Sequence, residues 1–194
     1  MNVIAGSARG VPLRVPAGMA VRPTSGRVRT SLFSILGNAV EGARVLDLFA
    51  GSGALGIEAL SRGAAHCCFV ENARPALAML RDNLARTRLA DKADVLTVNA
   101  FAALPLLEAR GPFGLVLLDP PYRFVNAPGD GFRALLAALG AGPALAPGAA
   151  LVVQHDTSTP LPEAIGRLRV TDERGYGTTT LTFLERPAEC PPAP

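Results

Sequence analysis

Asp119-Pro120-Pro121-Tyr122 is the segment of this chain with the clearest capacity for chemistry. Two consecutive prolines fix φ at about −65° and cannot continue a hydrogen-bonded ladder, so the apolar run Leu115–Leu118 must stop there. The carbonyls of both prolines are then expected to lack competing donors. An exocyclic amine on an aromatic ring is a poor nucleophile, because its lone pair is delocalised into the ring. Two acceptors, the Asp119 carboxylate and the Pro120 carbonyl, can hold its two N–H bonds. They draw the nitrogen toward tetrahedral geometry and aim its lone pair at an electrophilic methyl. Tyr122 offers a face on which an extruded base can stack, worth about 1–3 kcal/mol. Asp119, Pro120 and Tyr122 are the candidate catalytic residues, with Pro121 and Tyr122 against the substrate base.

A methyl donor needs its own site, and Val45-Leu46-Asp47-Leu48-Phe49-Ala50-Gly51-Ser52-Gly53-Ala54-Leu55-Gly56 supplies a candidate. It reads as a strand, a glycine-rich turn and a helix, with no Cβ at the glycines to keep a ligand from the backbone. Glu71 ends the next apolar run, 20 residues after Gly51. An acid there can accept hydrogen bonds from two ribose hydroxyls. The G-x-G-x-x-G spacing also suits a nicotinamide dinucleotide. Asp47 argues against that reading, because a carboxylate beside the loop repels a pyrophosphate and attracts the α-ammonium of a methionine moiety. Its alternative is an exposed strand-end acid capping a turn. Asn99 offers a donor and an acceptor to an adenine edge, and serves equally well as the N-cap of a helix beginning at Phe101. The cofactor-binding candidates are Asp47, Phe49, Ala50, Gly51, Ser52, Gly53, Glu71, Asn72, Asn99, Ala100 and Asp119.

The elements that must position these residues alternate. Strands are predicted at Arg44–Phe49, His66–Val70, Ala93–Val98, Phe113–Leu118 and Ala149–Gln154. Helices fall at Ala54–Ser61, Arg74–Arg86, in a short stretch ending near Arg110, and at Gly131–Leu139. Single helices between strands give right-handed crossovers and a parallel sheet covered on both faces. Arg167–Arg174 and Thr178–Glu185 follow without a helix between them, as an antiparallel hairpin. Ahead of the alternation, residues 2–5 and 11–15 read as a small hairpin. A helix capped by Thr24 or Ser25 follows, with Val28, Leu32, Ile35 and Leu36 on one face. Three segments result: a hairpin-and-helix extension over 1–40, a catalytic domain over 41–186, and a Pro-rich, disordered tail over 187–194.

Charge is unevenly placed. The net value is +3, yet residues 1–40 contain Arg9, Arg14, Arg22, Arg27 and Arg29 and no acid. An acid-free basic segment beside a near-neutral domain suits a polyanion such as nucleic acid. The 18% charged content and large apolar fraction describe a chain with a core. No apolar run is long enough to span a bilayer and no signal-peptide pattern opens the chain, so a cytoplasmic location is expected. Cys67 and Cys68 read as buried thiols and no Cys or His spacing suits a metal. His66 and His155 read as structural.

These motifs together resemble the class I methyltransferases and, more narrowly, the bacterial 16S ribosomal RNA guanine-N2 methyltransferases. The resemblance covers about residues 2–186. It rests on Arg22-Pro23-Thr24, Arg27-Val28-Arg29 with Leu32-Phe33, the Leu46–Gly56 loop, Glu71, Asp119-Pro120-Pro121-Tyr122 and Tyr176-Gly177. It implies an α/β, Rossmann-like fold with a seven-stranded, mostly parallel sheet and a C-terminal antiparallel hairpin. It further implies S-adenosylmethionine as donor and 16S ribosomal RNA, in a partly or fully assembled small subunit with its proteins, as substrate. The extension would grip that RNA through Arg9, Arg14, Arg22, Thr24, Arg27 and Arg29, and a monomer is expected. The chain departs from the family pattern at Gly26 and Thr30, where acids are usual, and at Gln154, where Glu is common. Other readings are an amino-methyltransferase acting on adenine in DNA or RNA or on a protein glutamine, an NAD-binding oxidoreductase, and a non-catalytic RNA-binding factor.

Overall fold

Uninterrupted apolar runs leave no face for water, and those of this chain become strands buried on both sides. The computed structural model describes residues 1–15, 26–125 and 130–188, apart from the side chains of Tyr122 and Arg123. Arg22-Pro23-Thr24, the expected caps at Thr24 and Ser25, and residues 189–194 of the tail lie outside that description. Met1–Ala100 and Phe101–Pro194 form two compact units.

The first unit opens with the expected turn, in which Val3 N–H donates to Val11 and Gly10 N–H to Val3, at 3.0 and 2.9 Å, but the runs 2–5 and 11–15 form a single isolated bridge, Asn2 to Pro12, in place of paired strands. Helix α1 (Gly26–Leu36) follows and buries Val28, Leu32, Phe33 and Leu36. Ile35, expected on that face, is exposed, and Phe33 takes its place inside. Then come β1 (Arg44–Leu48), α2 (Ala54–Ser61), β2 (His66–Val70), α3 (Arg74–Thr87) and β3 (Ala93–Leu96). Strand β2 runs parallel to both β1 and β3, with Val45 opposite Cys67 and Phe69 opposite Val95. Val45, Leu46, Leu48 and all four residues Cys67–Val70 have no measurable exposure. Each large apolar side chain so buried contributes about 1.5–3 kcal/mol. Helix α2 lies tight on β2 because of Gly56, where a Cβ would come within 2.3 Å of the Phe69 ring.

The second unit contains α4 (Leu104–Glu108), β4 (Phe113–Leu118), α5 (Tyr122–Val125), α6 (Gly131–Ala141), β5 (Leu145–Asp156), β6 (Ala164–Ile165), β7 (Leu168–Tyr176) and β8 (Thr179–Glu185). Strands β4 and β5 are parallel. The β7–β8 hairpin then joins β5 through β8 in antiparallel fashion. Every strand from β1 to β5 therefore has a parallel neighbour, and the antiparallel addition lies where the helices cease. Eight strands are present among the described residues, one more than expected. The extra one, β6, is two residues long and pairs only with β7, too short to leave an apolar pattern. Strand β5 begins four residues early because Leu145 pairs with Phe113 ahead of an irregularity in the register.

Candidate functional site

The loop after β1 turns through three left-handed residues: Phe49 (φ 73°), Gly51 (φ 56°) and Gly53 (φ 84°). For the two glycines this conformation costs little, whereas for Phe49 it is a strain that the surroundings must hold. Several bonds hold it. Ala50 N–H donates to the Val70 carbonyl at 3.0 Å, and Gly53 N–H returns to Ala50 at 2.8 Å. Gly51 N–H donates to Glu71 Oε2 at 2.8 Å. The other Glu71 oxygen accepts from Asn72 and Ala73, at 2.8 and 2.7 Å. Glu71 thus fixes the loop as well as standing where a ribose would be read. Asp47 is buried, and its Oδ2 accepts the Gly56 N–H at 2.8 Å in the first turn of α2. It caps a helix from inside the unit, so the reading of it as an exposed capping acid is half right: the cap is real and the exposure is not.

Asn83, which the sequence reading passed over, completes this anchoring. It is fully buried in α3. Its Nδ2 donates to the Ser52 and Arg14 carbonyls, both at 2.9 Å, while its Oδ1 accepts the Arg14 N–H at 2.8 Å. One side chain therefore holds the glycine loop and the N-terminal segment together. A Cβ added at Gly51 would meet nothing within 4 Å among the described residues. The loop thus presents open backbone beside Glu71, an arrangement that fits a nucleoside ligand. Ala100 is buried and Asn99 is exposed, directly ahead of a single 3-10 turn (Ala100–Ala102).

The arginines divide. Arg9, Arg14 and Arg27 are exposed, and Arg14 pairs with Asp82 at 3.2 Å. Arg29, expected to meet phosphate, is corrected by its burial at 1% exposure. Its guanidinium lies against Met1 Sδ and the Asn2 carbonyl and faces Glu58 at 3.9 Å. Burial pushes its pKa down and Arg62 adds to that, while Glu58 opposes both. Glu58, itself without exposure, also accepts Ile4 N–H at 2.8 Å and Ala5 N–H at 3.1 Å. Arg62 meets it at 2.7 Å. This network, with Ser61 accepting Ala8 N–H at 2.9 Å, fastens the N-terminal hairpin to α2. The two departures from the family pattern in α1 pair with each other, Thr30 Oγ1 donating to the Gly26 carbonyl at 2.8 Å.

In the second unit Asp119 follows directly on β4 and is half-buried; Pro120 is buried and Pro121 exposed. The Pro121 carbonyl accepts the Phe124 N–H at 2.8 Å. That corrects the expectation that both proline carbonyls escape competing donors: α5 begins at Tyr122 and takes one of them. Phe124 packs edge-on against Phe101, with centroids 5.2 Å apart. Gln154 Nε2 donates to Asp119 Oδ1 at 2.8 Å. Cys67 and Cys68 are buried thiols, as read. His155 is buried against Thr182 at 2.7 Å and the Asp156 carbonyl at 3.0 Å, a structural setting.

A family described as "Conserved hypothetical protein 95" matches residues 1–185. A Bacillus subtilis protein named "Putative rRNA methyltransferase YlbH" is 38% identical over 187 residues, covering 96% of this chain and 99% of that one. The Escherichia coli K12 protein "Ribosomal RNA small subunit methyltransferase D" is 43% identical over 123 residues, 63% of this chain and 61% of its own. The solved structure "Putative methyltransferase yhhF from Escherichia coli" superposes with a TM-score of 0.81 at 35% identity, covering 97% of this chain and 99% of that one. The chain therefore belongs to the conserved hypothetical protein 95 family, S-adenosylmethionine-dependent methyltransferases of Rossmann-like fold.

Proposed function

We propose that this chain methylates the exocyclic N2 amine of a guanine in 16S ribosomal RNA of the small ribosomal subunit. The observation that carries the reaction type is the placement of Asp119-Pro120-Pro121-Tyr122 at the carboxyl end of β4, where open α/β sheets take their ligands. The ribosomal substrate rests on the rRNA methyltransferase names of the relatives at 38 and 43% identity. Exposed Arg9, Arg14 and Arg27 support it as phosphate contacts, and Arg22 and Thr24 are proposed beside them. Arg29 drops out of that set.

When bound, S-adenosylmethionine would supply an electrophilic methyl on a sulfonium, with the neutral thioether S-adenosylhomocysteine as the leaving group. Glu71 and Asn72 are assigned to its ribose, Asn99 and Ala100 to its adenine. The backbone of Phe49, Ala50, Gly51, Ser52 and Gly53, with Asp47 behind it, is assigned to its methionine portion. Asp119 and the Pro120 carbonyl hold the two amine N–H bonds, so the nitrogen lone pair is presented for bond formation. The proton of the methylated amine passes to Asp119 or to water, since that amine is acidic enough to release it. Pro121 and Tyr122 receive the extruded base. No helix among the described residues is long and apolar enough to cross a membrane. A cytoplasmic monomer acting on an assembling subunit, with ribosomal proteins at its edge, completes the proposal.

The test is methyl incorporation into small subunits prepared from a strain lacking the modification, followed by mass spectrometry of RNase fragments. A single methylated guanine carrying the mass on its base supports the reading. Incorporation into adenine or into a ribosomal protein's glutamine, with none in guanine, overturns it.

A further inference from the structure

We propose that Gln154 is a positioning residue that aims the Asp119 carboxylate at the acceptor amine. The inference rests on the function proposed above, in which Asp119 holds that amine. Strands β4 and β5 are parallel and in register with Leu118 opposite Val153, so the next residue along each is Asp119 and Gln154. The Gln154 side chain is buried, at 5% exposure. Its Nε2 donates to Asp119 Oδ1 at 2.8 Å. Its Oε1 is also buried, yet has no hydrogen-bond partner among the described residues.

That asymmetry is informative. A buried acceptor left unmade is unfavourable, and a leucine of similar volume would fill the space without it. The carboxamide is retained in an orientation that satisfies Asp119 at the expense of its own oxygen. Only the NH2 end can face a carboxylate, since the oxygen would repel it. Asp119 itself lies beyond the last ladder residue of β4, and the two prolines after it have no N–H with which to hold its carboxyl group. A donor fixed on the neighbouring strand does hold it. An amine-positioning carboxylate must be kept within about 0.5 Å and 10–20° of its working geometry, and side chains on strands hold a group better than loops do.

The test is a double-mutant cycle on the full chain, with small subunits lacking the modification as substrate. Single-turnover rates, KM for subunits and S-adenosylhomocysteine affinity by calorimetry are measured for Q154L, Q154M, D119A and D119A/Q154L. Q154L is expected to cut the rate by about 30-fold or more while KM and cofactor affinity stay within about threefold. Q154M, which keeps the side-chain length and removes the donor, is expected to fall about as far as Q154L, and it carries the test if Q154L fails to bind the cofactor. In the D119A background Q154L should change the rate by less than about twofold, because there is no carboxylate left to aim. Losses that multiply in the double variant overturn the inference, as does a Q154L or Q154M rate within about threefold of the parent. A D119A rate near the parent instead overturns the role of Asp119, and the two failures are thereby distinct.

Discussion

Asn83 donates to the Ser52 carbonyl across 2.9 Å, from a side chain with no exposure. The same amide closes a two-point bond with the backbone of Arg14, so the glycine loop and the arginine-bearing segment hang on one residue of α3. Asn83→Ala leaves three backbone partners short of a bond. It is expected to lower stability by about 1–3 kcal/mol and weaken S-adenosylhomocysteine binding about tenfold. Chemical unfolding and calorimetry check both; unchanged cofactor affinity would remove Asn83 from the loop's support.

The arginines should separate into two classes. Arg29→Met breaks a buried pair and is expected to cost about 3–5 kcal/mol of stability, read from denaturant midpoints. Its effect on the salt dependence of RNA binding should be nil. Arg9→Ala, Arg14→Ala and Arg27→Ala should instead leave stability nearly untouched and each lower the slope of log affinity against log salt by about 0.7–0.9. A flat salt response in the triple variant would sink the phosphate role of this surface.

Gly56 sits where α2 meets β2, and a methyl there would lie 2.3 Å from Phe69 Cε1 and 2.7 Å from Cys67 Sγ. Gly56→Ala is expected to destabilise by about 1–3 kcal/mol through overpacking. Gly51→Ala, facing open space at φ 56°, should do less to the fold and more to the cofactor. Thermal unfolding with and without S-adenosylhomocysteine distinguishes them: the ligand-induced shift should survive in the first variant and shrink in the second.

Burial pushes the Cys67 thiol well above its ordinary range, with Asp47 and then Cys68 adding to the effect. At about pH 8 it carries no thiolate, and alkylation must wait for unfolding. Mass spectrometry after iodoacetamide treatment should find Cys67 and Cys68 unmodified in the native protein and labelled in denaturant. Rapid labelling of a protein that still binds its cofactor would contradict the packing described here.

The alternation of strands and helices was legible because each is written in consecutive apolar residues. The loop and Glu71 were legible because their spacing is local. What escaped was long-range. Nothing near Arg29 announces that its partner is Glu58, on the helix after the next strand. The signal was present in Glu58 itself, an acid set between Ile57 and Ala59 in a helix whose one other polar side chain is Ser61, a position no exposed acid would take. Asn83 carried a similar mark. It falls in the buried row of Ala76, Leu77, Leu80, Leu84 and Thr87, where a polar residue must have a bonding reason. Pro121 was misread for a different cause. A one-turn helix after the second proline has no periodicity to see, yet one of its N–H groups takes that carbonyl.

The buried Arg29–Glu58 pair also bears on how such enzymes can be recombined. Residues 1–40 look portable on the page: a short basic segment ahead of a common catalytic fold. Yet the hairpin's amides at Ile4 and Ala5 end on a carboxylate that belongs to the catalytic fold. Moved to another methyltransferase, the segment would arrive without its anchor, and the donor left behind would hold a buried charge with its neighbours gone. The segment proposed to grip RNA is therefore not a detachable module. Swapping it requires carrying Glu58 and Ser61 along with the arginines, so chimeras cut at the apparent boundary should misfold before they mis-target.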